Sequence, residues 1–181
     1  MVARGEGQDL GMAITRVGIT GHQRLEDPAA WPWVEEIVGR ELDAAPGPVV
    51  VVSSLAVGAD QLIARLGIAR GATVHAVLPF ADIERTFAPG DLPAYRQLVG
   101  QASLEILQTP GTDEDAYLAA GRRVAELSDV MIAVWDAKPA KGKGGTADIV
   151  AYAVASGVPV VHINPVDRTV TRLQPIKSKS S

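Results

Sequence analysis

The chemistry in this chain gathers in four short clusters. Gly144-Gly145-Thr146 follows three lysines, Lys138, Lys141 and Lys143, and precedes Asp148. Glycines let backbone N–H groups close on an anion with no Cβ in the way, and a helix starting at the threonine leaves unpaired N–H groups at its positive end. That pattern suits phosphate. Thr20-Gly21-His22 with Arg24 offers a hydroxyl, an imidazole and a guanidinium within five residues, and Ser54 to Asp60 runs through a small-residue turn with Gly58. Asp136 stands beside the glycine segment.

Each cluster has two readings. Thr20 and Gly21 contact phosphate or ribose, or only shape a tight turn; His22 touches ligand or serves as a structural hydrogen-bonder. Arg24 pairs with phosphate, or with Glu26 or Asp27. Asp60 binds a ribose hydroxyl or offsets a helix dipole, and Asp136 contacts ligand or caps a turn. Magnitude decides how many clusters are needed. One helix terminus gives an anion about 0.3–1 kcal/mol, up to about 2 when partly buried, whereas micromolar affinity requires about −8 kcal/mol. Several turns must therefore converge on one ligand.

The elements that place these clusters follow from hydropathy patterning. Apolar runs near 14–20, 48–54, 73–79, 103–108, 129–135 and 158–163 read as six strands, several continuous in Val, Ile and Leu as buried parallel strands require. Between them lie 3.6-period stripes: Trp31, Val34, Val38, Leu42; Ala59, Leu62, Ile63, Leu66; Tyr117, Ala120, Gly121, Val124, after a cap at Thr112; and Ala147, Val150, Ala151, Val154. These stripes read as core. Segment 80–100, with Pro89, Gly90 and Pro93, reads as a loop with short helical pieces of the kind that covers ligands. The expectation is an α/β, Rossmann-like, doubly wound and mostly parallel sheet of about six strands with helices on both faces. Ligands then bind outside the carboxyl ends of the strands, where the four clusters fall. One domain over 13–165 is expected, with flexible termini at 1–12 and 166–181.

Composition excludes several classes. With no cysteine among 181 residues there is neither a disulfide framework nor a thiolate metal site. His22, His75 and His162 show no ligand spacing, so no metal is required, although magnesium accompanying a phosphate is compatible. No window reaches a membrane span and residues 1–12 lack a signal core, so a cytoplasmic chain that is mature as written is expected. A net charge of −4 argues against nucleic acid as a partner. Gly142-x-Gly144-x-x-Ala147 fits a dinucleotide fingerprint only loosely, since it falls in the last βα unit, and the Gly-Lys-Ser/Thr of a P-loop is missing.

Gly18-Ile19-Thr20-Gly21-His22, Ser54-Leu55-Ala56-Val57-Gly58-Ala59-Asp60 with Leu78-Pro79-Phe80, and Gly144-Gly145-Thr146-Ala147-Asp148 together resemble the SLOG superfamily of Rossmann-like domains over roughly residues 14–164. That group includes the LOG phosphoribohydrolases and the DprA DNA-processing proteins. The resemblance implies a small-molecule nucleotide across the strand ends and a homodimer. Sensor-type members are similar to domains that recognise ADP-ribose and other NAD-derived signals. LOG enzymes cleave the N-glycosidic bond of nucleoside monophosphates with a glutamate three residues after a Gly-Thr pair. Aligned on Gly145-Thr146, that position is Ile149, and the acidic Asp148 stands one residue earlier, about 100° round the helix. The expectation is a nucleotide-binding sensor or scaffold rather than an enzyme, with a LOG-type hydrolase using Asp148 as the alternative.

Overall fold

The computed structural model describes residues 12–176. In chain order it contains β1 (Thr15–Gly21), α1 (Trp31–Ala44), β2 (Val49–Ser53), α2 (Ala59–Ala69), β3 (Thr73–Leu78), α3 (Leu92–Val99), β4 (Ala102–Ile106), α4 (Asp113–Glu126), β5 (Val130–Val134), α5 (Thr146–Ala155), β6 (Val160–Asn164) and β7 (Thr169–Leu173). Short 3-10 turns lie at Pro28–Ala30 and Ile83–Thr86. The sheet order is β4-β3-β2-β1-β5-β6-β7, with every pair parallel except β6 and β7.

The winding places the ligand edge. From β1 the chain steps outward through β2, β3 and β4, then crosses back to β5 and continues through β6. The connections therefore diverge on either side of β1 and β5, and a crevice opens outside their carboxyl ends. Two apolar layers flank the sheet. Val34, Val38, Ile63, Leu66 and Tyr95 from α1, α2 and α3 fill one face, and Ala120, Val124, Ile149 and Ala153 from α4 and α5 fill the other. Strand residues alternate between the two layers: Val17, Ile19 and Ile132 join the first, Met131 and Ala133 the second.

Local signals account for the helix starts. Thr112 caps α4 in a reciprocal box: its hydroxyl accepts the Asp115 N–H at 3.3 Å, and the Asp115 carboxylate accepts the Thr112 N–H at 3.0 Å. Asp27 likewise accepts the Ala29 N–H at 3.0 Å ahead of α1.

Three expectations change. The sheet has seven strands rather than six, because the 166–181 segment, read as a flexible terminus, supplies β7. Asn164 starts that hairpin by accepting the N–H groups of Val166 and Asp167 at 2.9 and 3.2 Å, and Arg172 holds the strand to Glu41 of α1 at 2.9 Å. Residues 1–11 and the Lys177-Lys179 tail lie outside the described residues. Segment 80–100 has the short helical pieces expected of it, the 3-10 turn and the two-turn helix α3, but Tyr95 and Leu98 of α3 are buried in the α1–α2 layer. It packs there instead of covering the ligand edge. Tyr117, read as core, is 38% exposed.

Candidate functional site

A cleft of about 810 Å³ opens at the β1–β5 crevice, within the usual range for small-molecule sites. Its walls come from four places: the end of β1 with Thr20 to Glu26, the β2–α2 turn with Ser54, Ala56 and Asp60, the first turns of α4, and the chain from Trp135 to Ile149. Ten of the eleven proposed binding positions meet there: Thr20, Gly21, His22, Arg24, Ser54, Asp60, Asp136, Gly144, Gly145 and Thr146 all line it.

Gly58 does not. It has φ +89, and a Cβ there would come 2.4 Å from the Gln23 carbonyl oxygen and 2.5 Å from that of His22. Its task is to let the start of α2 pack against the β1 exit, which the Ala59 N–H to His22 carbonyl bond at 3.2 Å then fixes. The His22 N–H in turn donates to the Val134 carbonyl at 3.0 Å, so the ends of β1 and β5 and the start of α2 form one rigid floor.

On that floor His22 Nε2 sits 3.1 Å from a carboxylate oxygen of Asp136, and the Asp136 N–H approaches the same nitrogen at 3.3 Å. Partial burial pushes the Asp136 carboxyl up, but the Lys138 N–H at 3.1 Å, His22 and the Lys138 ammonium at 3.4 Å outweigh it and hold the group below its usual value. Asp136 is therefore a fixed negative charge that orients His22 and anchors the loop beginning at Lys138. Lys138 also reaches Glu26 at 3.2 Å, and Lys143 reaches Asp115 at 3.4 Å. With Arg24 and Lys141, these lysines put four cationic side chains around the cleft, interleaved with the carboxylates of Glu26, Glu114 and Asp136.

The glycine segment builds the opposite wall. Gly144 has φ +79, and a Cβ there would lie 2.8 Å from the Leu118 nitrogen, so only glycine lets this turn lie against α4. Gly145 precedes α5 with no side chain capping it. The first-turn N–H groups of Thr146 and Ala147, both cleft-lining residues, thus have no intrahelical partner. Asp148 turns the other way: it is exposed, lies outside the cleft lining, and accepts the Gly144 N–H at 3.2 Å. Ile149, at the position aligned with the LOG glutamate, is 1% exposed and closes the cleft with an apolar surface.

Asp60 is buried at the β2 wall, 7% exposed, and one of its carboxylate oxygens accepts the Ser54 N–H at 3.2 Å. Burial pushes its carboxyl up to about 7, against the lowering effect of the Ala56 and Ser54 N–H groups and the Ser53 hydroxyl.

Sequence reasoning assigned no ligand role to Tyr117, Glu114 or Gly121, all of which line the cleft from α4. Tyr117 stands edge-on to Phe80 with centroids 5.7 Å apart. The signal was present in the topology: α4 starts at the ligand edge, so its first turns face the crevice. Trp135, directly after β5, also lines the cleft, where its indole N–H donates to the Lys138 carbonyl at 2.8 Å. Among the described residues no group of three or more His, Asp or Glu side chains is placed to hold a metal ion, and no helix is long and apolar enough to cross a membrane.

No protein-family model and no curated protein matches the chain. Solved structures do. DNA processing protein A (DprA) from Streptococcus pneumoniae superposes with a TM-score of 0.60 at 17% identity, covering 82% of this chain and 50% of that one. DprA from Helicobacter pylori, described by its single-stranded DNA binding mode, gives 0.55 at 19% identity, covering 82% and 64%. TM1055, a structural-genomics target, gives 0.52 at 20% identity, covering 81% and 72%. The chain thus spans half to two thirds of the DprA proteins it resembles.

These neighbours overturn the expectation against a nucleic-acid partner. One of them is described by its single-stranded DNA binding mode, and a net charge summed over the whole chain does not describe a cleft where Arg24, Lys138, Lys141 and Lys143 stand beside Glu26, Glu114 and Asp136. What the likeness establishes for this chain is the fold: an α/β, Rossmann-like arrangement with a mostly parallel seven-stranded sheet.

Proposed function

We infer that the cleft binds a nucleotide, either a nucleoside phosphate or an ADP-ribose-like molecule, and that the domain acts as a sensor or scaffold rather than as a hydrolase. The observation that carries this reading is the convergence, in one cleft, of the β1 exit, the uncapped start of α5 and the side chains of Arg24, Lys138, Lys141 and Lys143. Together they supply the several anion contacts that no single glycine turn could. Two features support binding over hydrolysis. At the position aligned with the LOG glutamate the α5 wall presents Ile149 to the cleft, and Asp148 is committed to Gly144, so the cleft's carboxylates, Asp60 and Asp136, stand on other walls than the one a LOG-type hydrolase uses.

A second reading has its own support. The H. pylori neighbour binds single-stranded DNA, and the same four cationic side chains would accept the phosphates of an oligonucleotide.

Calorimetric titration with AMP, ADP, ATP, NAD, ADP-ribose and a twelve-residue oligothymidylate, with chromatography for released base, separates these outcomes. Saturable binding of a mononucleotide or dinucleotide without base release is expected. Binding of the oligonucleotide alone favours the second reading, base release restores the hydrolase, and silence from every ligand refutes the nucleotide site. Thr146→Glu locates the site. A carboxylate at the first position of α5 suits the helix dipole, so folding should be undisturbed while phosphate-dependent binding weakens at least about tenfold by like-charge repulsion.

A further inference from the structure

Asp60 ends the small-residue turn after β2, and the hydrogen bonds around it leave that turn little with which to hold a phosphate. The Ser54 N–H goes to its carboxylate at 3.2 Å, the Leu55 N–H to the Ser53 hydroxyl oxygen at 3.0 Å, and the Ser53 hydroxyl to the Asp60 carbonyl at 3.1 Å. At the start of α2 the Ala59 N–H goes to the His22 carbonyl and the Gln61 N–H to the Ala56 carbonyl, each at 3.2 Å. These donors are turned inward, and the turn meets the cleft through Ser54, Ala56 and Asp60, whose carboxylate is its one charged group.

Building on the nucleotide reading above, we propose that Asp60 fixes the direction in which the ligand lies, accepting sugar hydroxyls at the β2 wall and leaving the phosphate to the α5 wall. An ionised carboxylate only accepts hydrogen bonds, so it repels phosphate and suits the O–H donors of a sugar, and bonds of this charge-assisted kind are about twice as strong as neutral ones. The spacing agrees. β2 and β5 flank β1 on opposite sides, so the two walls stand two interstrand steps apart, roughly 10 Å. A sugar with its phosphate, and one hydrogen bond at each end, covers that span. Leu55, buried with φ +57, is the strained residue that bends the turn so that Ser54 and Asp60 meet.

Titrations at pH 8, above the value of about 7 to which burial raises Asp60, keep the group ionised. The probes are AMP and 2′,3′-dideoxy-AMP. On the wild-type protein the dideoxy compound should bind at least about tenfold more weakly, and Asp60→Ala should reduce that discrimination to less than threefold. Thr146→Glu should weaken both compounds while preserving the ratio between them. Equal affinity for the two sugars on the wild-type protein overturns the assignment without any variant having to fold, and so does discrimination that survives in Asp60→Ala. Absence of AMP binding overturns it too; the nucleotide reading itself falls only when the whole ligand panel is silent.

Discussion

Replacing Asp60 by Asn should raise stability at high pH far more than at low pH. With its carboxyl raised to about 7 from an ordinary 3.8, the folded protein holds that proton more tightly than the unfolded chain does. Stability from this group is therefore greatest at low pH, declines as pH rises from about 4 to about 7, and is lowest above that. Each tenfold gain in proton affinity on folding corresponds to about 1.36 kcal/mol, so the rise from 3.8 to about 7 puts the burden of the ionised group at about 4 kcal/mol at pH 8. At 7% exposure the carboxylate gains little from solvent screening. Asparagine keeps the shape and an acceptor for the Ser54 N–H but never ionises.

The measurement is urea unfolding of both proteins between pH 4 and pH 8. Other carboxylates pull the opposite way: Glu84 is held low by Arg96, Glu105 by Arg123, Asp113 by Arg85 and Asp115 by the Thr112 N–H. Those contributions are lost on acidification, but they are common to both proteins and cancel in the difference. The stability of Asp60→Asn minus that of wild type should grow by about 4 kcal/mol from pH 4 to pH 8. A difference that stays flat within about 1 kcal/mol would show that Asp60 is not desolvated as its burial requires.

Two further substitutions separate architecture from ligand contact. Gly58→Ala should destabilise the fold by about 2 kcal/mol or more in thermal or urea unfolding, because φ +89 and the 2.4 Å approach to the Gln23 carbonyl leave a Cβ no room; unchanged stability would mean that the start of α2 does not pack on the β1 exit. Asp148→Asn should leave nucleotide affinity within about threefold and stability within about 0.5 kcal/mol, since the exposed side chain makes one bond to Gly144. A larger loss of affinity in titration would return Asp148 to the site.

Patterning carried the architecture because burial on both faces of a parallel sheet forces nearly continuous apolar strands, as in Val49–Ser53 and Val130–Val134. Helices between them then had to show 3.6-period stripes. β7 escaped because a strand exposed along most of its length shows no apolar run, and its hairpin depends on Asn164 capturing two backbone N–H groups. α3 was legible only as a short helical piece of a loop, because Pro89, Gly90 and Pro93 crowd its start, whereas burial of Tyr95 and Leu98 in the α1–α2 layer decides its place.

At the candidate site the sequence alone determined which turns gather at the strand ends, since an alternating strand and helix pattern leaves them nowhere else. On the resemblance to LOG enzymes, it also put Ile149 rather than a carboxylate at the position of their glutamate. Only the tertiary structure decided what each group does there. Gly58 and Gly144 both look like cradle residues in one dimension, but the first is consumed by contact with His22 and Gln23 and the second by contact with Leu118. Asp60 and Asp148 both look like ligands of a helix start, but one is buried at the cleft wall and the other faces solvent. A side chain's partners and desolvation are set by which elements close around it, and that information lies between distant segments rather than within any one of them.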